Sequence, residues 1–449
     1  MRLTRPGLAA VFALVASSAL AQEPAPPPPQ EAPPSIVTAA GNRFRLHVEI
    51  KANARRSAAV EQPVANTGQP FPIVLRTPDP HGSLELQDVV LAAEADLTPD
   101  ISARASVHFL DLYNRNPTSS DDRVFVREAW MRLGKKLDVL RPIPQTTLYL
   151  QLGKAPRFSK QLDRRLESYG LWGTAVGRFE EVGAELGGTL GKNVYFRGSV
   201  VTPNPLFFRD PNALAGDNGT PERTEYSTVP VVYQSGFPIL YDAKAQDVNF
   251  HGTFQYGGGI GFRILGGPEG RDGVDALGWV FTRSLADRVP IRGSFYSGDL
   301  RLLRGNGVSL PIAGREKTEW GGNLEARFRG LALYAQYVHQ KIAGLTRKGV
   351  EAELAYRIPL NGVFVSGDTP VLNWIAPTVR YSHIGSDFPL PVGFVAPSMT
   401  WSWYKYDFGF RLGILRGVDL TAEYARHDAI LKTKVLHPDE FLATLRAAF

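Results

Sequence analysis

A short segment between residues 153 and 178 concentrates positive charge. It reads GKAPRFSKQLDRRLESYGLWGTAVGR, and its acidic residues are Asp163 and Glu167. Basic side chains act most strongly on anions where low-dielectric walls enclose little water. In a narrow water-filled space the segment would form a cationic constriction, whereas on an open surface its charges would simply be solvated. The basic residues are Lys154, Arg157, Lys160, Arg164, Arg165 and Arg178.

Residues suited to covalent catalysis or metal binding are sparse. The chain has no cysteine, which excludes a thiolate metal site and a disulfide scaffold. Nucleophilic catalysis needs a serine close to a histidine, and no G-x-S-x-G string surrounds a serine here. His108, His339, His383 and His427 lie within predicted strands instead. The sequence therefore predicts no catalytic residue, metal ligand or cofactor, and no basic run interleaved with aromatics indicates nucleic-acid binding.

Strict alternation of apolar and polar residues dominates the rest of the chain. In WYKYDFGFRLGIL, 403–415, aromatic and aliphatic side chains alternate with charged residues and glycines, and similar runs recur from residue 43 onward. A period of two indicates β-strands with one apolar and one polar face. A soluble sandwich and a membrane barrel both show this pattern. Many runs approach ten residues, the length that a tilted strand needs to cross hydrocarbon, and this favours the barrel.

The N-terminal residues predict export. Arg2 and Arg5 precede a short apolar stretch that ends in Ala-Leu-Ala at 19–21, as in a cleavable signal peptide over residues 1–21. Residues 22–40 are rich in proline, which predicts an extended periplasmic segment. No later stretch offers about 18 consecutive apolar residues. Residues 41–449 are therefore predicted to form an outer-membrane β-barrel.

The strand count and the connections refine this prediction. About seventeen candidate runs are visible, and a bacterial barrel with both termini on one side needs an even number. We expect an all-β transmembrane antiparallel β-barrel of about 16 strands, with 18 as the alternative. Short turns such as 191–193 alternate with long connections such as 204–250. The terminal Phe449 ends an alternating strand, which indicates an outer-membrane signal read by the barrel-assembly machinery.

Four stretches resemble the phosphate-selective porin O and P family and related porin-like proteins. They are VREAWMRLG (126–134), TLYLQLGKAPRF (147–158), RFEEVGAELGGTLGKNVYFRGSVVTPNP (178–205) and GLALYAQYVHQKIAG…GVEAELAYRI (330–358). The resemblance implies a 16-stranded homotrimeric channel in the outer-membrane lipid of a Gram-negative bacterium. It also implies a third loop that folds into the barrel, which carries over onto residues 154–178.

Arginines and carboxylates alternate onto the predicted inner face in nearly equal numbers, which indicates bands of ion pairs bracing the wall. The predicted pore-wall arginines are Arg197, Arg263, Arg327, Arg329, Arg357 and Arg411. The expected function is passive, non-enzymatic diffusion of small hydrophilic solutes, with a weak preference for anions such as phosphate. The alternatives are a barrel with a structural or adhesive role, using 204–250 as a binding loop, and a lipid-hydrolysing barrel.

Overall fold

The computed structural model describes the barrel strands and part of the connections between them. The described residues are 37–39, 43–64, 73–77, 82–110, 124–135, 147–161, 164–168, 170–171, 180–202, 224–226, 231–235, 254–266, 272–284, 316–342, 345–360, 362–367, 369–386, 402–430 and 435–449. The predicted signal peptide, 1–21, and nearly all of the proline-rich segment, 22–40, lie outside them.

Sixteen long strands form one antiparallel sheet in which each strand pairs with the next along the chain. They are β1 Phe44–Ser57, β2 Ser83–Thr98, β3 Ile101–Leu110, β4 Val124–Gly134, β5 Leu148–Pro156, β6 Glu180–Leu190, β7 Val194–Thr202, β8 Gln255–Gly266, β9 Asp272–Ser284, β10 Glu316–Phe328, β11 Leu331–Ile342, β12 Leu345–Tyr356, β13 Trp374–Ser386, β14 Ser402–Leu415, β15 Val418–Ile430 and β16 Glu440–Ala448.

The sheet closes on itself because β1 pairs with both β2 and β16. At the closing seam the backbones of Val48 and Phe449 exchange two hydrogen bonds of 3.0 and 2.8 Å. A closed barrel satisfies every strand without leaving an edge, which is what a hydrocarbon environment requires. The prediction of an all-β antiparallel barrel with 16 rather than 18 strands is confirmed.

The side chains on the two faces of each strand differ in exposure as the alternation predicts. In β14 the side chain of Phe408 is 50% exposed, whereas Lys405 and Asp407 are fully buried. Apolar side chains thus cover the outside and charged side chains fill the inside. This arrangement is the reverse of a soluble β-protein and matches a barrel with lipid outside and polar groups inside.

The connections differ at the two ends of the barrel. At one end, called here the turn end, β10 joins β11 through Arg329 and Gly330, and β14 joins β15 through residues 416–417. At the other end, the loop end, most connections are long, although only residues 343–344 join β11 to β12. Among the described residues, no helix is long and apolar enough to cross a membrane.

Short strands supplement the barrel at both ends. At the loop end, the first and fourth long connections meet in a small sheet, where Ile73–Arg76 pairs in parallel with Val232–Ser235. Its outer strands are Glu61–Val64 and Thr224–Tyr226. The remaining short strands are Val37–Ala39, Ile358–Pro359, Phe364–Ser366, Thr369–Val371 and Val435–Leu436.

Candidate functional site

The third long connection, between β5 and β6, folds into the barrel. The carbonyl oxygen of Ser159 accepts hydrogen bonds from the side-chain amides of Asn323 on β10 (2.7 Å) and Gln336 on β11 (3.0 Å). Both amides belong to the inner face, so the chain leaves the rim after Pro156 and runs through the interior. The prediction of an inward-folded third loop is confirmed.

Carboxylates of the opposite wall hold the far part of this loop. Glu353 on β12 accepts a hydrogen bond from the backbone N–H of Arg165 at 3.0 Å. Glu423 on β15 accepts the backbone N–H groups of Glu167 and Ser168 at 3.1 and 2.9 Å, and the Ser168 hydroxyl at 2.7 Å. Because β12 and β15 lie across the ring from β5 and β6, the loop spans the lumen.

Arg157 anchors the start of the loop. Its buried guanidinium forms ion pairs with Glu319 on β10 and, at 3.6 Å, with Glu181 on β6. The guanidinium carbon also lies 3.7 Å from the ring centroid of Phe281, and Phe158 packs on the same ring at 4.8 Å. The positive charge that the sequence places in the lumen is therefore present, but two carboxylates neutralise it.

Two further loop cations, Lys160 and Arg164, contact oxygen atoms. Lys160 pairs with Glu180 at 3.0 Å, and Arg164 donates a hydrogen bond to the carbonyl oxygen of Glu167 at 3.2 Å. The Glu167 carboxylate in turn pairs with Lys51 on β1 at 2.9 Å. Burial opposes ionisation of Glu167, but the charges of Lys51, Arg411, Arg164 and Arg446 together outweigh it and hold the pKa of that carboxyl well below its usual value. The contact between loop and wall therefore stays ionised at neutral pH.

One of the predicted constriction residues does not face the lumen, and another cannot be placed. Lys154 lies in phase with Leu148 and Leu152 on the outer face of β5, and its ammonium donates to the carbonyl oxygen of Val126 at 2.7 Å. The alternation of β5 continues to Pro156, which turns Lys154 outward. Arg178 lies outside the described residues.

The predicted pore-wall arginines divide into two groups. On the inner face, Arg197 lies 3.7 Å from Glu185, and Arg263 lies 2.7 Å from Asp275. Arg411 pairs with Asp419 at 2.8 Å. These three residues lie on the inner wall, each beside a carboxylate.

The remaining three arginines lie near the turn end. Arg327 is half-buried on β10. Arg329 is exposed with a φ of 45°, because the chain reverses there between β10 and β11, so it belongs to a turn rather than to the wall. Arg357 follows the end of β12 and lies over the ring of Trp374 at 4.4 Å.

Ion pairs run from strand to strand around the inner wall. Arg380 on β13 contacts Asp407 at 2.9 Å and Glu353 at 3.5 Å, and it donates to the loop hydroxyl of Ser168 at 2.6 Å. Lys405 adds a second cation 3.1 Å from Asp407. The bands of paired charge expected from the near balance of arginine and carboxylate are therefore present, and they also hold the third loop.

Sequence reasoning missed two of the loop-binding carboxylates, Glu319 and Glu423. Both could have been found from the alternation, because Glu319 lies on the same face of β10 as Asn323, and Glu423 lies on the same face of β15 as Asp419. Their loop partners could not, because those contacts cross the barrel. Within the described part of the chain, no group of three or more histidines and carboxylates is placed to hold a metal ion.

The same architecture occurs in solved structures. OprB of Pseudomonas putida aligns with 90% of this chain and 94% of its own at a TM-score of 0.51, with 9% identity. The chain therefore has the fold of a porin-like β-barrel. The outer membrane channel DcaP of Acinetobacter baumannii aligns over 90% of the barrel chain and 97% of its own (TM-score 0.47, 10% identity). The anion-selective porin of Comamonas acidovorans aligns over 90% of this chain and 99% of its own (TM-score 0.45, 11% identity).

These similarities concern the fold alone. No family model matches the sequence of the barrel, and no curated protein matches it. The narrower resemblance to the phosphate-selective porin O and P family is therefore not supported, while the porin-like fold is.

Proposed function

We propose that this barrel is an outer-membrane channel for the passive diffusion of small hydrophilic solutes, working as a homotrimer in a Gram-negative bacterium. The observation that carries the proposal is a closed barrel with an apolar exterior and a charged interior, crossed by the third loop. An interior lined with charge offers hydrogen bonds to solutes that lose water on entering, and the loop limits their size. The process needs no chemical step and no cofactor.

A weak preference for anions forms the finer part of the proposal. Arg157, Lys160 and Arg164 bring positive charge into the lumen on the third loop. Carboxylates close to Arg157 and Lys160 cancel much of their field, since opposite charges a few ångströms apart act as a dipole at longer range. We therefore expect a modest anion preference rather than tight selection of phosphate.

Planar-bilayer recording tests the channel itself. The purified barrel is expected to produce stepwise conductance, and light scattering in detergent is expected to give the mass of three chains. A correctly folded barrel that produces no conductance steps would remove the channel proposal.

Reversal potentials in a KCl gradient test the role of the loop. The triple variant Arg157→Gln, Arg164→Gln and Arg165→Gln is expected to shift the preference towards cations. A matched triple variant at the turn end, Lys135→Gln, Lys192→Gln and Arg416→Gln, changes the total charge equally and is expected to leave the potential nearly unchanged. Equal potentials in the two variants would show that the loop is not the selective constriction.

A further inference from the structure

Aromatic and basic side chains gather on the outer surface of β10 to β14 at the loop end. We call this surface the rim patch, and its residues are Trp320, His339, Lys341, Lys348, His383 and Tyr404. All six lie in phase with the outward apolar residues of their strands, so they do not belong to the lumen. They lie near the loop end of their strands, where membrane barrels place aromatic residues beside the lipid headgroups.

The strand register assembles the patch from separate parts of the sequence. Trp320 on β10 is paired with His339 on β11, and His339 is paired with Lys348 on β12. The rings of Trp320 and His339 stack at 5.1 Å with an angle of 25° between their planes. One strand farther on, His383 stacks on Tyr404 at 4.2 Å and 28°. Flat rings thus border the lysines on both sides.

The two lysines lie diagonally across one strand pair. Lys341 is paired with Thr346, two residues before Lys348, so the two lysines occupy diagonal positions on the same face. Diagonal neighbours in a sheet are about 7–8 Å apart. Both lysines are exposed. Two lysines on diagonal positions of one face can both reach a single phosphate group, which gives two charge-assisted contacts.

The connections at the rim leave the patch accessible. Residues 343–344 are all that join β11 to β12, at the place where other strand pairs carry long loops. A membrane component can therefore approach the lysines from the side.

Two of the described acidic residues lie beside the patch on the outer face. Glu316 lies on the same face of β10, one outward position beyond Thr318, which is paired with Lys341. Asp428, paired with Tyr404, already has Arg426 and His437 within 3.8 and 2.9 Å. By contrast, near the loop end of β6 to β9 the outward residues Val182, Val200, Tyr256 and Thr282 are uncharged, and the carboxylate of Glu180 is paired with Arg127 and Lys160.

We propose that the rim patch binds the phosphorylated headgroup of a lipid in the outer leaflet of the membrane. Lys341 and Lys348 bind the phosphate, while Trp320 and Tyr404 cover the adjoining sugar or acyl carbons. The inference rests on the outer-membrane placement proposed above. It assigns one side of the barrel, β10 to β14, as the surface that holds an ordered lipid.

Native mass spectrometry tests the site. The full barrel is folded in detergent, diphosphorylated lipid A is added, and bound lipids are counted per protomer. We expect one retained lipid on the wild type, and on the order of tenfold weaker binding in the double variant Lys341→Gln, Lys348→Gln. The control variant Lys135→Gln, Lys192→Gln loses the same charge at the turn end and is expected to bind like the wild type. Equal binding by both double variants would overturn the proposal.

Two further arms identify what is bound. Lipid A stripped of both phosphates is expected to bind the wild type as weakly as the Lys341/Lys348 variant binds the intact lipid; undiminished binding would overturn the phosphate assignment. Millimolar inorganic phosphate is expected not to displace the lipid, and complete displacement would show a site for free anions instead. Conductance is recorded in parallel, because loss of channel activity and loss of lysine-dependent lipid binding are separate outcomes.

Discussion

Single carboxylates on the wall determine where the third loop lies. Glu423 alone accepts three hydrogen bonds from Glu167 and Ser168, and Glu353 accepts one from Arg165. A carboxylate suits this position because backbone N–H groups of an irregular loop need acceptors, and a charged acceptor binds them more strongly than a neutral one. The alternation along a strand predicts that such carboxylates face inward. It does not predict which loop residues they contact, because that depends on the folded barrel.

Removing the Glu423 carboxylate should loosen the far part of the loop. In Glu423→Ala we expect a loss of about 2–4 kcal/mol of loop anchoring, because three donors lose a charged acceptor. The measurable result is increased noise in the open-channel current and faster protease cleavage within residues 157–179. Glu316→Ala removes an exposed carboxylate from the outer face at the same end and serves as the control. Matching noise in the two variants would contradict the anchoring role.

At the scale of the element, alternation assigns each position of a strand to lipid or lumen. β14 shows the principle, since Phe410 faces outward while its neighbour Arg411 pairs with Asp419 inside. Arg446 also contacts Asp419, at 3.1 Å, so that carboxylate has a second cation. The two faces of one strand should therefore respond very differently to a change of side chain.

Two single substitutions at adjacent positions of β14, one on each face, test this difference. We expect Phe410→Arg to lower the free energy of unfolding by about 2–4 kcal/mol, since it places a cation in hydrocarbon. Arg411→Phe should cost less, because Arg446 still neutralises Asp419. Urea titration of the folded species on unheated gels measures both. If Phe410→Arg lowered the free energy of unfolding less than Arg411→Phe, the two faces of β14 would have been assigned the wrong way round.

Glycine is required where β4 and β5 approach each other closely. Gly153 has a φ of 123°, and a Cβ added there would lie 2.2 Å from the carbonyl oxygen of Ala129. A Cβ added to Gly258, on the outer face of β8, would have no atom within 4 Å. We expect Gly153→Ala to cost about 1–3 kcal/mol through backbone strain, and Gly258→Ala to change stability by less than about 0.5 kcal/mol. Equal midpoints of urea unfolding for the two variants would show that the contact between β4 and β5 does not require glycine at position 153.

At the scale of the whole molecule, closure joins the first and last strands of the barrel. The seam between β1 and β16 includes the paired backbone bonds of Val48 and Phe449. The backbone of Phe449 closes the sheet, and we propose that its side chain is recognised by the assembly machinery.

Two variants of Phe449 separate these roles. Phe449→Ala keeps the backbone bonds, so we expect normal refolding in detergent but reduced assembly in cells. Deletion of Phe449 removes the bonds as well, and refolding in detergent should also slow. The folded fraction on unheated gels measures both conditions. Normal assembly of Phe449→Ala in cells would argue that the machinery does not read this side chain.

The sequence by itself determined the strands, the closed antiparallel barrel with about 16 strands, and which face of each strand is polar. These properties follow from a period of two and from turn lengths, which are local along the chain. The same logic placed Arg197, Arg263 and Arg411 on the inner wall, and it could have found Glu319 and Glu423.

Only the tertiary structure decided which charges meet. The outward direction of Lys154 and the turn position of Arg329 depend on where strands end, which alternation leaves open by a residue or two. The loop-to-wall contacts and the row of Trp320, His339 and Lys348 depend on strand register and on contacts across the lumen. Register and closure bring together residues far apart in the chain, and no local pattern specifies their partners.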